Sequence, residues 1–428
     1  MASPNLATFL KSLKSRPVDA SIESLAALLR RRQINDPEQC AIATANLLLH
    51  VVSKSKWTSV DHLLQRVHDV GKKLVLARPK ELVIGNLVRR VLYLIRSEAE
   101  EDRAGNGDDS VSDMSNLPGD EPQHHAAISS PPGSGATSPP PRPPPRLMTL
   151  ASTGSFHVPK SMFNMLNDSP SALASLVGSP FGRGSGSSTP MSHTQVANIT
   201  ALREEVLDGI GELKDEIASA DEQIAAYAEP QILPGSTVLI YKPNSTVEKF
   251  LLAAAKRRRF TVLIGLDSPK QAEEYKKTSN FREQLRKLNV DSMVLAGSVS
   301  AHMSRVNTVV LNARAIAPCG AVVVDAGVTR IARSAHIANR TVIVLGAVYK
   351  LCPQDVPDLD TLADIGGPNM SRYGDMNGIN IRILLTEYIK PDLIDFYITN
   401  LGPHTRDHLQ GIIGDHYRIE DVDLTEEE

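Results

Sequence analysis

The 428-residue chain carries 46 basic and 49 acidic residues, with 41% hydrophobic side chains. That length predicts two or three domains with at least one full core, and the near-balanced charge excludes bulk electrostatic nucleic-acid binding. Cys40, Cys319 and Cys352 are too widely spaced for a CxxC metal or redox pair, and too few for a disulfide-built secreted domain.

The opening residues, MASPNLATFLKSLKSRPVDAS, lack the apolar stretch of a signal peptide. The longest apolar stretch, Leu82 to Ile95, is broken by Asn86, Arg89 and Arg90, so no membrane span is predicted. A soluble cytosolic chain is expected. Residues 3–98 read as helices, because apolar residues recur three and four apart: Leu25, Leu28, Leu29; Ala41, Ala45, Leu48, Val51; Leu63, Leu64, Val67, Val70; Leu87, Val91, Leu94. Asp36-Pro37 and Ser59 predict helix starts. In residues 101–190, 41 of 90 positions are Pro, Gly or Ser, too few apolar groups to offset ordering entropy, so disorder is expected. Within that stretch Pro139 to Arg146 favours polyproline II, as a stiff spacer or a ligand for a proline-binding domain. Ser130, Ser138, Ser169, Ser179 and Thr189 each precede a proline, a weak kinase-site signal.

After the insertion, Val206, Ile210, Leu213, Ile217, Ala220, Ile224 and Tyr227 keep an unbroken 4-3-4-3 spacing. This predicts one long helix that closes the helical bundle and leads onward. From Leu233 short β-rich runs alternate with helical segments: Thr237–Tyr241, Phe260–Ile264, Met293–Ala296, Thr308–Leu311 and Thr341–Gly346. Continuous apolar strands separated by helices predict a parallel sheet covered on both faces. The expected class is therefore α/β: a helical domain begun by residues 1–99 and completed by 196–230, interrupted by a disordered insertion at 100–195, then a Rossmann-like domain over 231–428. Sites are expected at the carboxyl ends of its strands.

The chemical motifs are sparse. No GxGxxG follows the first strand, no P-loop occurs, and neither HExxH nor a His/Cys pair suggests zinc, so no cofactor or metal is expected. His336, among alanines on a helix, reads first as a packed histidine. The run Lys256–Arg259 ends a helix, where cations meet the macrodipole favourably. A solvated cap is the plainer reading, and a surface for an acidic partner the sharper one. Arg89, Arg90 and Arg96 carry the same two readings. A single tryptophan, Trp57, and 4% aromatics give no base-stacking platform.

Four ordered blocks carry a resemblance: Gly85–Arg96 (GNLVRRVLYLIR), Lys242–Ile264 (KPNSTVEKFLLAAAKRRRFTVLI), Met303–Ile316 (MSRVNTVVLNARAI) and Val342–Pro353 (VIVLGAVYKLCP). Together they resemble the regulatory alpha, beta and delta subunits of eukaryotic translation initiation factor 2B. The same fold houses methylthioribose-1-phosphate and ribose-1,5-bisphosphate isomerases. A long basic N-terminal extension of the delta type is absent, which favours a beta-type member.

The isomerases carry a cysteine after the first strand, an aspartate after a later one, and an Asn-Lys pair that helps hold the phosphorylated substrate. Here Lys242 stands at the cysteine position, Arg314 at the aspartate, and Val324 and Asp325 at the Asn-Lys pair. A guanidinium cannot serve as a base, and a carboxylate in place of a lysine repels phosphate. The resemblance therefore implies a non-catalytic scaffold. Its implied partners are the alpha, gamma, delta and epsilon subunits of translation initiation factor 2B, in a decamer, and the alpha subunit of translation initiation factor 2, with and without phosphorylation. Arg89, Arg90 and Arg96 are the candidates for meeting such a partner. A sugar-phosphate isomerase, or a sensor that binds a sugar phosphate or nucleotide without chemistry, is the alternative. The apolar segment Tyr388–Tyr417 reads equally as interface or core.

Overall fold

Two short polar residues set the first helices. In a computed structural model, which describes residues 4–105, 193–266, 272–354, 359–366 and 383–424, the Asp36 carboxylate accepts from the Gln39 N–H at 3.4 Å, with Pro37 at the first helical position. Ser59 Oγ accepts from the His62 N–H at 3.2 Å. These caps open α3 (Pro37–Lys54) and α4 (Val60–Ala77), which follow α1 (Pro4–Leu13) and α2 (Val18–Arg30) and precede α5 (Leu82–Gly105). The expected insertion lies almost wholly outside the described residues.

The long helix α6 (His193–Ala226) runs 34 residues. Its unbroken apolar stripe serves two cores in turn. Val206 and Ile210 pack with Leu25, Leu48, Val67 and Val91 of the helical layer. Farther along, Ile217, Ala220 and Ile224 join Ala41, Ala45, Val83 and Leu87 in a core shared with the sheet. The helical layer and the sheet belong to one compact unit by their contacts.

After the short α7 (Ala228–Gln231), the predicted alternation appears as β1 (Thr237–Tyr241), α8 (Ser245–Ala255), β2 (Thr261–Leu266), α9 (Ala272–Lys287), β3 (Asp291–Ala296) and β4 (Thr308–Asn312). Next come β5 (Ala315–Ile316), β6 (Val322–Asp325), α10 (Val328–Ile337), β7 (Thr341–Leu345), β8 (Asp364–Gly366), β9 (Ile383–Ile389), β10 (Phe396–Thr399), β11 (Gly402–His404) and α11 (Leu409–His416). The main sheet has the order β11-β10-β7-β4-β1-β2-β3, parallel throughout except for β11. Strands progress outward from β1 to β3, and the chain then returns to β4 on the other side of β1. The topological switch point lies between β1 and β4, and its crevice opens at their carboxyl ends. A second sheet, β5-β6-β9-β8, is antiparallel and was not expected. Two of its strands, β5 and β8, have only two and three residues, below the length at which alternation registers. His336 is exposed, not packed. In the carboxyl-terminal segment Tyr397 and Ile398 are core, whereas Phe396 is 41% exposed.

Candidate functional site

The switch point collects the sequence-predicted positions. Lys242 directly follows β1 and adopts a left-handed backbone, φ +47°. Its Nζ donates to the Ala326 carbonyl at 3.0 Å, tying the end of β1 to the end of β6. Arg314 follows β4, and its Nη1 donates to Asp325 Oδ1 at 3.0 Å. Val324, the residue before Asp325, is fully buried inside β6. Three of the four positions therefore share one cluster, and the fourth is core.

What fills the cluster comes from far away in sequence. Arg314 Nη2 also donates to Glu81 Oε2 at 2.8 Å and to the Asn35 carbonyl at 2.7 Å. The Glu81 side chain is only 2% exposed. Arg78 stands beside it, 3.4 Å from Glu81 Oε2, and donates to the Ile34 carbonyl at 2.8 Å. Arg32 forms a two-bond pair with Asp364, at 2.5 and 2.9 Å. Burial works against the charge on Arg314, but the Glu81 and Asp325 carboxylates outweigh it and hold the guanidinium above its ordinary value. The Asp364 carboxyl is held below its ordinary value by its hydrogen bonds from Arg32.

Lys350 completes the crevice. It is 3% exposed, and its Nζ donates to Asn312 Oδ1 at 3.3 Å. Burial lowers its pKa, against the pull of the Asp36, Asp221 and Glu38 carboxylates. The chemical consequence is plain. Asp325 is engaged by a permanently charged guanidinium, and Lys242 donates to a backbone carbonyl.

The three candidate arginines lie on α5. Arg89 is 5% exposed, its Nε donating to the Val422 carbonyl at 2.8 Å, and burial lowers its pKa. Arg90 makes a two-bond pair with Glu216 of α6, at 3.1 and 2.8 Å. Arg96 keeps 31% side-chain exposure and reaches Asp421 at 3.1 Å. Along α5, Arg418 also grips Glu100 at 2.6 Å through both nitrogens, and Leu424 enters the helical core. The carboxyl-terminal residues thus strap the sheet domain to α5. No sequence signal announced Glu81 or this strap, because each partner lies hundreds of residues from its cation.

A model of the initiation factor 2 subunit family matches residues 33–405, which include Glu81, Lys242, Arg314, Asp325 and Lys350. The chain belongs to the initiation factor 2 subunit family. Among relatives, it is 28% identical over 420 residues to translation initiation factor eIF2B subunit beta of Schizosaccharomyces pombe, covering 94% of this chain and 97% of that protein. It is also similar to the crystal structure of eIF2B beta from Chaetomium thermophilum, with 38% identity, a TM-score of 0.68 and 98% of each chain covered. The tetrameric eIF2B-beta2-delta2 complex from C. thermophilum holds a chain 36% identical to this one, with a TM-score of 0.65 and 96% and 99% coverage. Within this family the strand-end crevice of the present chain is a charge clamp. Among the described residues, no helix is long and apolar enough to cross a membrane and no His/Cys/Asp/Glu group could hold a metal.

Proposed function

We propose that the chain is a beta-type, non-catalytic regulatory subunit of the guanine-nucleotide exchange factor that reloads translation initiation factor 2. It scaffolds that complex with the alpha, gamma, delta and epsilon subunits, and it helps read the phosphorylation state of the substrate's alpha subunit in the cytosol. One observation carries the non-catalytic part: Arg314, at the position where the related isomerases keep an aspartate, is clamped between Glu81 and Asp325. A permanently protonated group cannot take the proton that aldose–ketose exchange requires. The relatives named as beta subunits, covered almost end to end, support the rest.

Of the three arginines, the proposal gives the partner-facing role to Arg96, which alone keeps appreciable side-chain exposure; Arg89 and Arg90 hold the strap and α6 in place. Native mass spectrometry of the tagged chain, purified gently from its own cells, tests the reading. Recovery in a decamer with four other subunits that accelerates nucleotide release is the expected result. A lone homo-oligomer with no exchange activity overturns it, as does turnover of methylthioribose-1-phosphate or ribose-1,5-bisphosphate.

A further inference from the structure

The opposite edge of the main sheet has a different chemistry. The segments entering the parallel strands at their amino ends are basic one after another: Lys256–Arg259 before β2, Arg286 in the last turn of α9 before β3, Arg305 before β4 and Arg340 before β7. Hydrogen bonds join these loops into one rim. Arg259 Nη1 donates to the Leu288 carbonyl, linking the loops before β2 and β3. The Arg259 carbonyl accepts from the Gly235 N–H at 2.7 Å, and Asn307 Oδ1 accepts from the Thr237 N–H at 2.9 Å. Arg340 Nη2 donates to the Ser304 carbonyl at 3.2 Å, linking the loops before β4 and β7. With strands roughly 4.8 Å apart, the rim from β7 to β3 spans on the order of 20 Å. Two carboxylates stand at this edge as well: exposed Asp291 opens β3, and beyond β7 the Asp395 carboxylate accepts from the Val342 N–H at 2.7 Å.

Few of these cations are neutralised within the chain. Arg257 and Arg258 share one carboxylate, Glu229, at 2.9 and 3.7 Å. Among the described residues, exposed Lys256, Arg286 and Arg305 face no carboxylate within ion-pair distance. Leu233 stands at the same edge, 66% exposed, two residues before the Gly235 that bonds Arg259.

We infer that this rim docks an acidic, leucine-containing stretch of a partner protein. Guanidiniums beside an exposed aliphatic residue suit a protein interface, where arginine and apolar groups share the contact. The seated Glu229 shows that the rim's guanidiniums take carboxylates. Nucleic acid fits less well: among the described residues, no exposed aromatic ring lies on the rim to stack a base. The inference stands on this surface alone and does not depend on the reading of the strand-end crevice.

The test uses the full chain and two probes, a fluorescein-labelled Glu/Asp/Leu peptide and an oligouridylate of equal charge, followed by anisotropy at one fixed salt concentration. The expected result is that the peptide binds better than the oligouridylate. Combining Lys256→Glu, Arg286→Glu and Arg305→Glu should weaken peptide binding about tenfold or more, whereas Lys14→Glu, Lys54→Glu and Lys56→Glu together should leave it within about twofold. Where the first triple lowers folding yield, the three glutamine substitutions replace it. Equal losses in both triples, no peptide binding, or tighter oligouridylate binding each overturn the inference.

Discussion

The two edges of one parallel sheet hold their charges in opposite ways. At the carboxyl edge, Glu81 and Lys350 are buried and the Arg314 side chain is 12% exposed, and each has a partner drawn from another element. At the amino edge, Lys256, Arg286 and Arg305 stand in solvent. The difference follows from desolvation. A charge under a covering layer is tolerated only with partners, and its loss exposes the energy of the partner left behind. A charge in water needs none, so it adds little to stability and remains available to another molecule.

Substitutions at the carboxyl edge should break the fold, and the largest effect belongs to the clamp. Arg314→Leu leaves the Glu81 carboxylate buried beside Arg78 alone and should cost about 3–5 kcal/mol of unfolding free energy in denaturant titration. Adding Glu81→Leu should return part of that loss, since the two residues share one interaction. An additive double variant would show that the clamp does not act as a pair.

Lys350→Met should act in the other direction. Burial holds the folded ammonium below lysine's ordinary value of about 10.4, so between these values the unfolded chain binds more protons than the folded one. The lysine's unfavourable contribution is therefore full below the folded value and is relieved as pH rises through it. The methionine variant should equal or exceed the wild type by up to about 1–4 kcal/mol at neutral pH, with the gap narrowing toward pH 10. A constant gap across that range would remove the charge from the explanation.

Gly327 caps α10 with φ +97°, and an added Cβ would lie 2.7 Å from Tyr241 Oη. Gly327→Ala should cost about 1–3 kcal/mol, from backbone strain and that contact together. Asp364→Asn, at the margin of the cluster, should cost about 1 kcal/mol at neutral pH. Because Arg32 depresses the folded carboxyl, this contribution is complete above the unfolded value of about 3.9 and fades as pH falls through the lower folded value. Wild type and variant should converge there in acid denaturation. At the amino edge, Lys256→Gln should shift stability by no more than about 0.5 kcal/mol, and a larger shift would erase the contrast between the two edges.

Much of the architecture was legible beforehand because it rests on local patterns. The apolar spacing of three and four, the caps at Asp36 and Ser59, and the continuous apolar strands predict α3, α4, α6 and the parallel sheet. The second sheet escaped because β5 has two residues and β8 has three, below the length at which alternation can register. Lys242, Arg314 and Asp325 could be placed at strand ends from their sequence context, and that the Arg314 guanidinium cannot act as a base follows from residue type alone.

Sequence by itself determined which segments become the principal helices and the central parallel strands, where α3 and α4 start, and that a guanidinium stands at the end of β4. Those properties depend on neighbours a few residues apart. Tertiary structure alone decided that Glu81 and Asn35 reach Arg314 across 233 and 279 positions, that Arg89 turns inward to Val422, and that four strand-entry loops line up as one basic rim. Pairings at such separations depend on how the layers stack, and no periodicity in the chain records them.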